Sequence, residues 1–234
     1  MTGKTPLILL PGLLCDAALW QYQISALADF AEPRVADLTR FDSIAAMAEG
    51  VLSTAPERFA LAGLSMGGYV ALEIIRRAPE RVTRLALLDT SARADTDAQR
   101  ARRRGLIELA QLGKFRGVTP HLLPMLLHAD HLNGRLSGIV TGMAERVGQA
   151  AFIRQELAIL GRVDSRASLG AITAPTLVLC GDADALTPPI VAQEIAGNIS
   201  GATFVLVEHC GHLSTLERPE AVNRAMIDWL TEDR

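Results

Sequence analysis

The sequence predicts an α/β fold, a parallel sheet with helices on both faces, and two observations carry that expectation. Short apolar runs alternate along the chain with longer segments of helical periodicity. Runs such as "LILL" (7–10), "LALL" (85–88) and "TLVLC" (176–180) lack apolar–polar alternation, as strands covered on both faces should. A chain of 234 residues, 49% hydrophobic and with net charge −3, can bury a full core.

In chain order, strands are expected at Pro6–Leu10, Arg34–Leu38, Phe59–Ala62, Arg84–Leu88, Thr176–Cys180 and Thr203–Val207. Helices are expected near Trp20–Phe30, Ser43–Ser53, Gly68–Arg77 and Pro189–Ala196. A last helix begins near Pro219, whose missing N–H suits a first turn, and places Val222, Met226, Trp229 and Leu230 on one face. From about 91 to 169 the chain shows no strand, only helical patterns punctuated by Gly113, Gly117, Pro120, Gly134, Gly148 and Gly161. We therefore expect a core of residues 1–90 and 170–234 with a helical cap, 91–169, over the strand ends where ligands bind.

Composition excludes several function classes. The small negative charge gives no reason to expect nucleic acid or a membrane as partner. Arg100, Arg102, Arg103 and Arg104 form the only dense basic run, and Asp95, Asp97 and Glu108 flank it, so a solvated helix face is expected rather than a phosphate site. The opening segment is not read as a secretion signal, because Pro11-Gly12 breaks its apolar run and Leu14 precedes Cys15. Three cysteines without a CxxC pair argue for a reducing compartment, and the cytoplasm is the expected location. No nucleotide fingerprint occurs and Cys180, Asp182, Cys210 and His212 match no zinc spacing, so neither cofactor nor metal is expected.

The chemistry concentrates around "AGLSMGG" (62–68). Gly63-Leu64-Ser65-Met66-Gly67 fits G-x-S-x-G between an expected strand and an expected helix, where a sharp turn would aim the Ser65 hydroxyl off the sheet. A serine needs a base. His212, in "CGHLSTLERP" beyond the last strand, is the first candidate, and His209 is an alternative. Asp184 in "GDADALTPP" is the first candidate to orient that base, with Asp89 and Asp182 as alternatives. Backbone N–H groups of Leu13, after the sharp turn at Gly12, and of Met66 are candidate oxyanion donors. The Met66 side chain is expected to shape the pocket. Trp20, Leu123, Leu126 and Leu127 are candidate substrate contacts, and Phe115, Leu122, Met125, Met143 and Phe152 share the cap's apolar spacing.

The segments "LLPGLL…W", "GLSMGG", "GDADALTPP" and "CGHLSTLERPEAV" resemble the α/β-hydrolase fold, and small bacterial carboxylesterases with a helical lid in particular. The resemblance spans nearly the whole chain. It implies a mostly parallel six-stranded sheet that lacks the first hairpin, with the cap inserted after this chain's fourth strand. It implies Ser65 as nucleophile, Asp184 as acid, His212 as base, and Leu13 and Met66 as oxyanion donors. The substrate it implies is a small-molecule carboxylic ester. A small cap is separately compatible with broad specificity that extends to polyester chain ends. The same triad serves acyl transfer, thioester or lactone cleavage and C–C hydrolysis. Pro11 stands where the family usually has a histidine.

Overall fold

The computed structural model describes residues 4–232. Six strands form one sheet in the order β2-β1-β3-β4-β5-β6, and every neighbouring pair is parallel. They are β1 (Thr5–Leu10), β2 (Ala31–Val35), β3 (Phe59–Leu64), β4 (Val82–Leu88), β5 (Thr176–Gly181) and β6 (Thr203–Val207). The central strands β3 and β5 are buried along their whole length, which is why their sequences do not alternate. Alternate residues of β1 show the two faces: Ile8 and Leu10 enter one core cluster, Leu7 and Leu9 the other.

Helices α2 (Ile44–Thr54), α3 (Met66–Arg77) and α7 (Pro189–Asn198) cover the first face. On the second face lie the residues around α1 (Gln21–Ala26) and α9 (Pro219–Thr231), whose Val222, Met226 and Trp229 are buried with Leu230 packed beside them. Between β4 and β5 the chain is helical, with α4 (Asp97–Leu109), α5 (Leu123–Leu126) and α6 (Arg135–Leu160). α6 carries a kink at Gly148, where φ is +75°. The two ends of this insertion meet where the Ser165 N–H donates to the Ala92 carbonyl at 2.8 Å. A short helix α8 (Ser214–Glu217) precedes α9.

Two elements differ most from expectation, the other boundaries lying within about two residues. β2 begins three residues before Arg34 and ends at Val35, pairing with β1 from Thr5↔Ala31 to Leu9↔Val35. It is a half-buried edge strand carrying Pro33, so hydrophobicity does not mark where it starts. The helix expected over Trp20–Phe30 is only Gln21–Ala26, preceded by a 3-10 turn over Ala17–Trp20 that the Asp16 carboxylate caps at the Ala18 N–H.

The approach of α3 to the sheet dictates glycine. A Cβ on Gly67 would lie 2.1 Å from the Leu10 carbonyl oxygen, and one on Gly63 would lie 2.3 Å from the Gly67 carbonyl oxygen. Both obstacles are backbone and cannot turn away. Gly105, inside α4, has nothing within 4 Å of its would-be Cβ. Gly67→Ala should therefore destabilise the fold by about 2 kcal/mol or more. Gly105→Ala should stabilise it by about 0.5–1 kcal/mol. Urea unfolding of both variants checks this, and equal midpoints would contradict the packing described.

Candidate active site

Ser65 sits at the junction of β3 and α3 with φ +55° and ψ −115°, a backbone region that non-glycine residues avoid. The surroundings impose it. The Ser65 N–H donates to the Leu88 carbonyl at 3.0 Å, the Thr90 hydroxyl donates to the Ser65 carbonyl at 2.8 Å, and α3 starts at the next residue. The loop after β1 presses on the same spot, where a Cβ on Gly12 would lie 3.4 Å from that of Ser65.

His212 Nε2 lies 2.9 Å from Ser65 Oγ, and His212 Nδ1 lies 2.8 Å from Asp184 Oδ2. Asp184 and His212 are 3% and 2% exposed, so the contact between them is shielded from water. Asp184 is held in turn by the N–H groups of Leu186 and Thr187 at 2.8 and 2.9 Å and by the Thr187 hydroxyl at 2.7 Å. Burial works against the charged form of both partners. For His212 the Asp184 carboxylate, through its charge and hydrogen bond, outweighs burial and holds the imidazole above its ordinary pKa. For Asp184, His212 and Thr187 likewise outweigh burial and hold the carboxyl below the ordinary range.

The alternative acids have other partners. Asp89 is fully buried and accepts from the Gly181 N–H at 3.0 Å, and from the Ser214 N–H and hydroxyl. Burial, aided by the Asp184 charge, pushes its carboxyl up to about 8. Of these two buried carboxyls, Asp184 is thus the one favoured as an anion. Asp182 accepts from the Cys210 N–H at 3.0 Å and ties the loop after β5 to the loop after β6. His209 is exposed and packs edge-on against His128, with ring centres 5.8 Å apart.

Residues that sequence reasoning missed hold this frame. Glu217 accepts from the N–H groups of Gly211 and His128 at 3.0 and 2.7 Å, and the His212 N–H donates to the Leu126 carbonyl at 3.1 Å, so the cap is bonded to the histidine loop. Gln155 of α6 is fully buried, accepts from the Leu14 N–H at 3.0 Å and donates to the Leu38 carbonyl at 3.3 Å. A polar residue on the buried side of a helix was the available signal for it. Among the described residues, no hydrogen bond engages the N–H groups of Leu13, in the loop after β1, or of Met66, the first residue of α3.

A cavity of about 480 Å³ opens over Ser65 and His212. Leu126 lines it, as do Phe115, Leu122, Met125 and Phe152. Trp20, Leu123 and Leu127 do not: they are buried in the core under the second sheet face, as is Met143, because their helical spacing serves cap-to-core packing. Met66 is also absent from the lining, its side chain buried in the cluster around α2 and α3. The basic run is not simply a solvated face. Arg102 and Arg103 line the cavity, and Arg103 turns inward to Asp95 at 2.8 Å and Glu156 at 2.7 Å.

Among the described residues, two groups of side chains bring ligand atoms within 4.8 Å of one another: Asp89, Cys180 and Asp184, and His128, Asp130 and His209. In the first, N–H and hydroxyl donors occupy both carboxylates, and burial pushes the Cys180 thiol far above its ordinary range. Cys15, at the cavity wall, is likewise pushed up to about 12 and is poorly suited to act as a nucleophile. No helix among the described residues is long and apolar enough to cross a membrane.

A sequence profile described as the alpha/beta hydrolase family matches residues 7–225. A pimeloyl-[acyl-carrier protein] methyl ester esterase of Nitrosomonas europaea is 27% identical, covering 94% of this chain and 93% of its own length. Among solved structures, a thermophilic esterase from Thermogutta terrifontis is 28% identical, with a TM-score of 0.88 over 98% of this chain and 90% of that one. An enol-lactonase from Burkholderia xenovorans is 26% identical, with a TM-score of 0.85 over 98% of this chain and 93% of that one.

Because the Asp184 anion is what raises the His212 pKa, NMR titration of the imidazole should give a midpoint above the ordinary value of about 6.5. Asp184→Asn removes that anion and should move the midpoint down. A wild-type midpoint at or below the ordinary value would contradict the electrostatics described.

Proposed function

Since the chain belongs to the alpha/beta hydrolase family, we propose that it is a serine esterase in which Ser65 attacks a carboxylic ester with His212 as base and Asp184 as the orienting acid. The observation that carries this reading is the unbroken hydrogen-bond chain that runs from Ser65 and His212 in the cavity lining to the buried Asp184. His212 Nε2 takes the Ser65 proton as Oγ attacks the carbonyl carbon, and the Asp184 carboxylate stabilises the imidazolium that forms. The tetrahedral oxyanion is received by the N–H groups of Leu13 and Met66, whose hydrogen-bonding capacity is otherwise unspent. His212 then protonates the departing alcohol, and water repeats the sequence on the acyl-enzyme. Neutral His212 is the working form, so turnover rises with pH through the His212 midpoint.

Lactone opening is the second reading, favoured by the likeness to the enol-lactonase. It uses the same steps, with the leaving alcohol kept in the acyl-enzyme. A panel of esters and lactones separates the two by relative kcat/KM.

Ser65→Ala should lower kcat for a p-nitrophenyl ester by on the order of 10⁴-fold or more. Met66→Ala keeps the backbone donor and should stay within about tenfold of wild type. Emptying a fully buried position should still cost it about 2–5 kcal/mol of stability. Near-normal turnover by Ser65→Ala would refute the mechanism.

A further inference from the structure

The cavity wall carries more positive charge than its acids neutralise. Arg103 and Arg162 are balanced by Asp95 and Glu156: Arg103 reaches both, and Arg162 lies 2.7 Å from Asp95 with its guanidinium 4.4 Å above the Tyr69 ring centre. Arg93 is paired with Glu194 at 2.8 Å. That leaves Arg102, Lys114 and Arg116, all exposed, all lining the cavity and all within the stretch from α4 to the turn after it. Among the described residues none of the three forms an ion pair with an acid, although the Arg102 charge acts at longer range on Glu156. Arg102 contacts the Met125 sulfur at 3.5 Å, and Arg116 contacts the Phe115 carbonyl at 3.4 Å. The one carboxylate in the lining, Glu156, is already bound to Arg103. The rest of the lining mixes apolar side chains, Leu106, Phe115, Leu122, Leu126 and Phe152 among them, with polar ones such as Gln99 and Thr119.

We propose that the preferred substrates are esters with a short apolar segment ending in an anionic group, a carboxylate or a phosphate, which Arg102, Lys114 and Arg116 hold at the mouth while the ester lies at Ser65. This rests on the esterase reading and extends it to a substrate class. A mostly apolar cavity with exposed cations in its lining favours such a molecule twice over. The chain is desolvated along the wall, and the charge stays in a partly wet region where pairing needs little desolvation. A rim of one sign also draws anionic substrates toward the mouth. Arg104, on the same helix but outside the lining, supplies a control of equal charge.

The test compares monoethyl succinate, glutarate and adipate with ethyl butanoate, pentanoate and hexanoate in a pH-stat. A further ester, 2-phosphoethyl pentanoate, places the anion on the alcohol side. An anionic ester should exceed its neutral counterpart about tenfold in kcat/KM, mainly through KM, as expected for about three exposed charge contacts. The ratio should shrink as salt rises from about 0.01 to about 1 M, which cuts the Debye length from about 30 to about 3 Å. It should fall to about one, within roughly a factor of two, in the triple variant Arg102→Gln/Lys114→Gln/Arg116→Gln, and persist in Arg104→Gln. Preference for the hemiesters or for the phosphoethyl ester identifies which anion is held, and either supports the proposal. Ratios near one for every anionic ester, or a ratio unchanged in the triple variant, would overturn it. If no ester were turned over, the esterase reading would fall, and calorimetric binding of the same pairs would decide: tighter binding of an anionic member supports the cationic subsite, and equal binding overturns it.

Discussion

The first turn of α3 lies so close to β1 and β3 that a single methyl group at Gly63 or Gly67 would meet backbone atoms within 2.3 Å. Much of the active-site geometry depends on this contact. A helix that starts this near the sheet leaves no room for a connecting loop, so one residue must reverse the chain, and Ser65 does so with positive φ. The same turn raises the hydroxyl above the strand ends and leaves the Met66 N–H, the first of the helix, without an intrahelical acceptor. The strain is offset by anchors on either side, at Leu88 and Thr90, both from the neighbouring strand β4 and its end. The position of the proposed nucleophile and that of the proposed oxyanion donor thus come from one backbone event.

The other half of the site depends on a buried polar junction. The loops after β5 and β6 nearly touch, since a Cβ on Gly181 would lie 2.1 Å from the Gly211 carbonyl oxygen. Asp89 joins them by accepting from Gly181 and Ser214, and Asp182 adds a second tie at Cys210. Glu217 then bonds the histidine loop to the cap at His128. Burial raises the carboxyl pKa of both Asp89 and Glu217, while Asp184, with His212 and Thr187 against it, is held low. Three buried carboxyl groups of one site therefore shift in different directions according to their partners, and the one bonded to His212 is the one shifted toward the anion.

The parts legible in the sequence were those whose determinants are local. Ser65 announces itself through glycines two positions away on each side, and Asp184 and His212 through short loops just past apolar strands. The central strands were legible because burial on both faces leaves a continuous apolar run, whereas the half-exposed edge strand β2 was misplaced. What escaped were long-range polar ties. Asp89 meets partners 92 and 125 residues away, and Gln155 meets partners 141 and 117 residues away, separations at which no spacing rule operates. Helical apolar spacing marked Leu123, Leu126 and Leu127 alike, but only the structure separates Leu126, on the cavity, from the two that fill the core. Arg102 and Arg103 were ambiguous for a related reason: charge balance along the chain does not reveal which guanidinium finds a buried acid.

In the proposed mechanism His212 and Asp184 activate Ser65, and covalent labelling reads that activation directly. A fluorophosphonate reacts with an activated serine hydroxyl and leaves a mass-tagged residue that peptide mapping can locate. The expected result is a single stoichiometric label on Ser65, with a rate that climbs with pH through the His212 midpoint and collapses in His212→Ala. Labelling elsewhere in the chain, or a Ser65 label whose rate ignores both pH and the loss of His212, would contradict it.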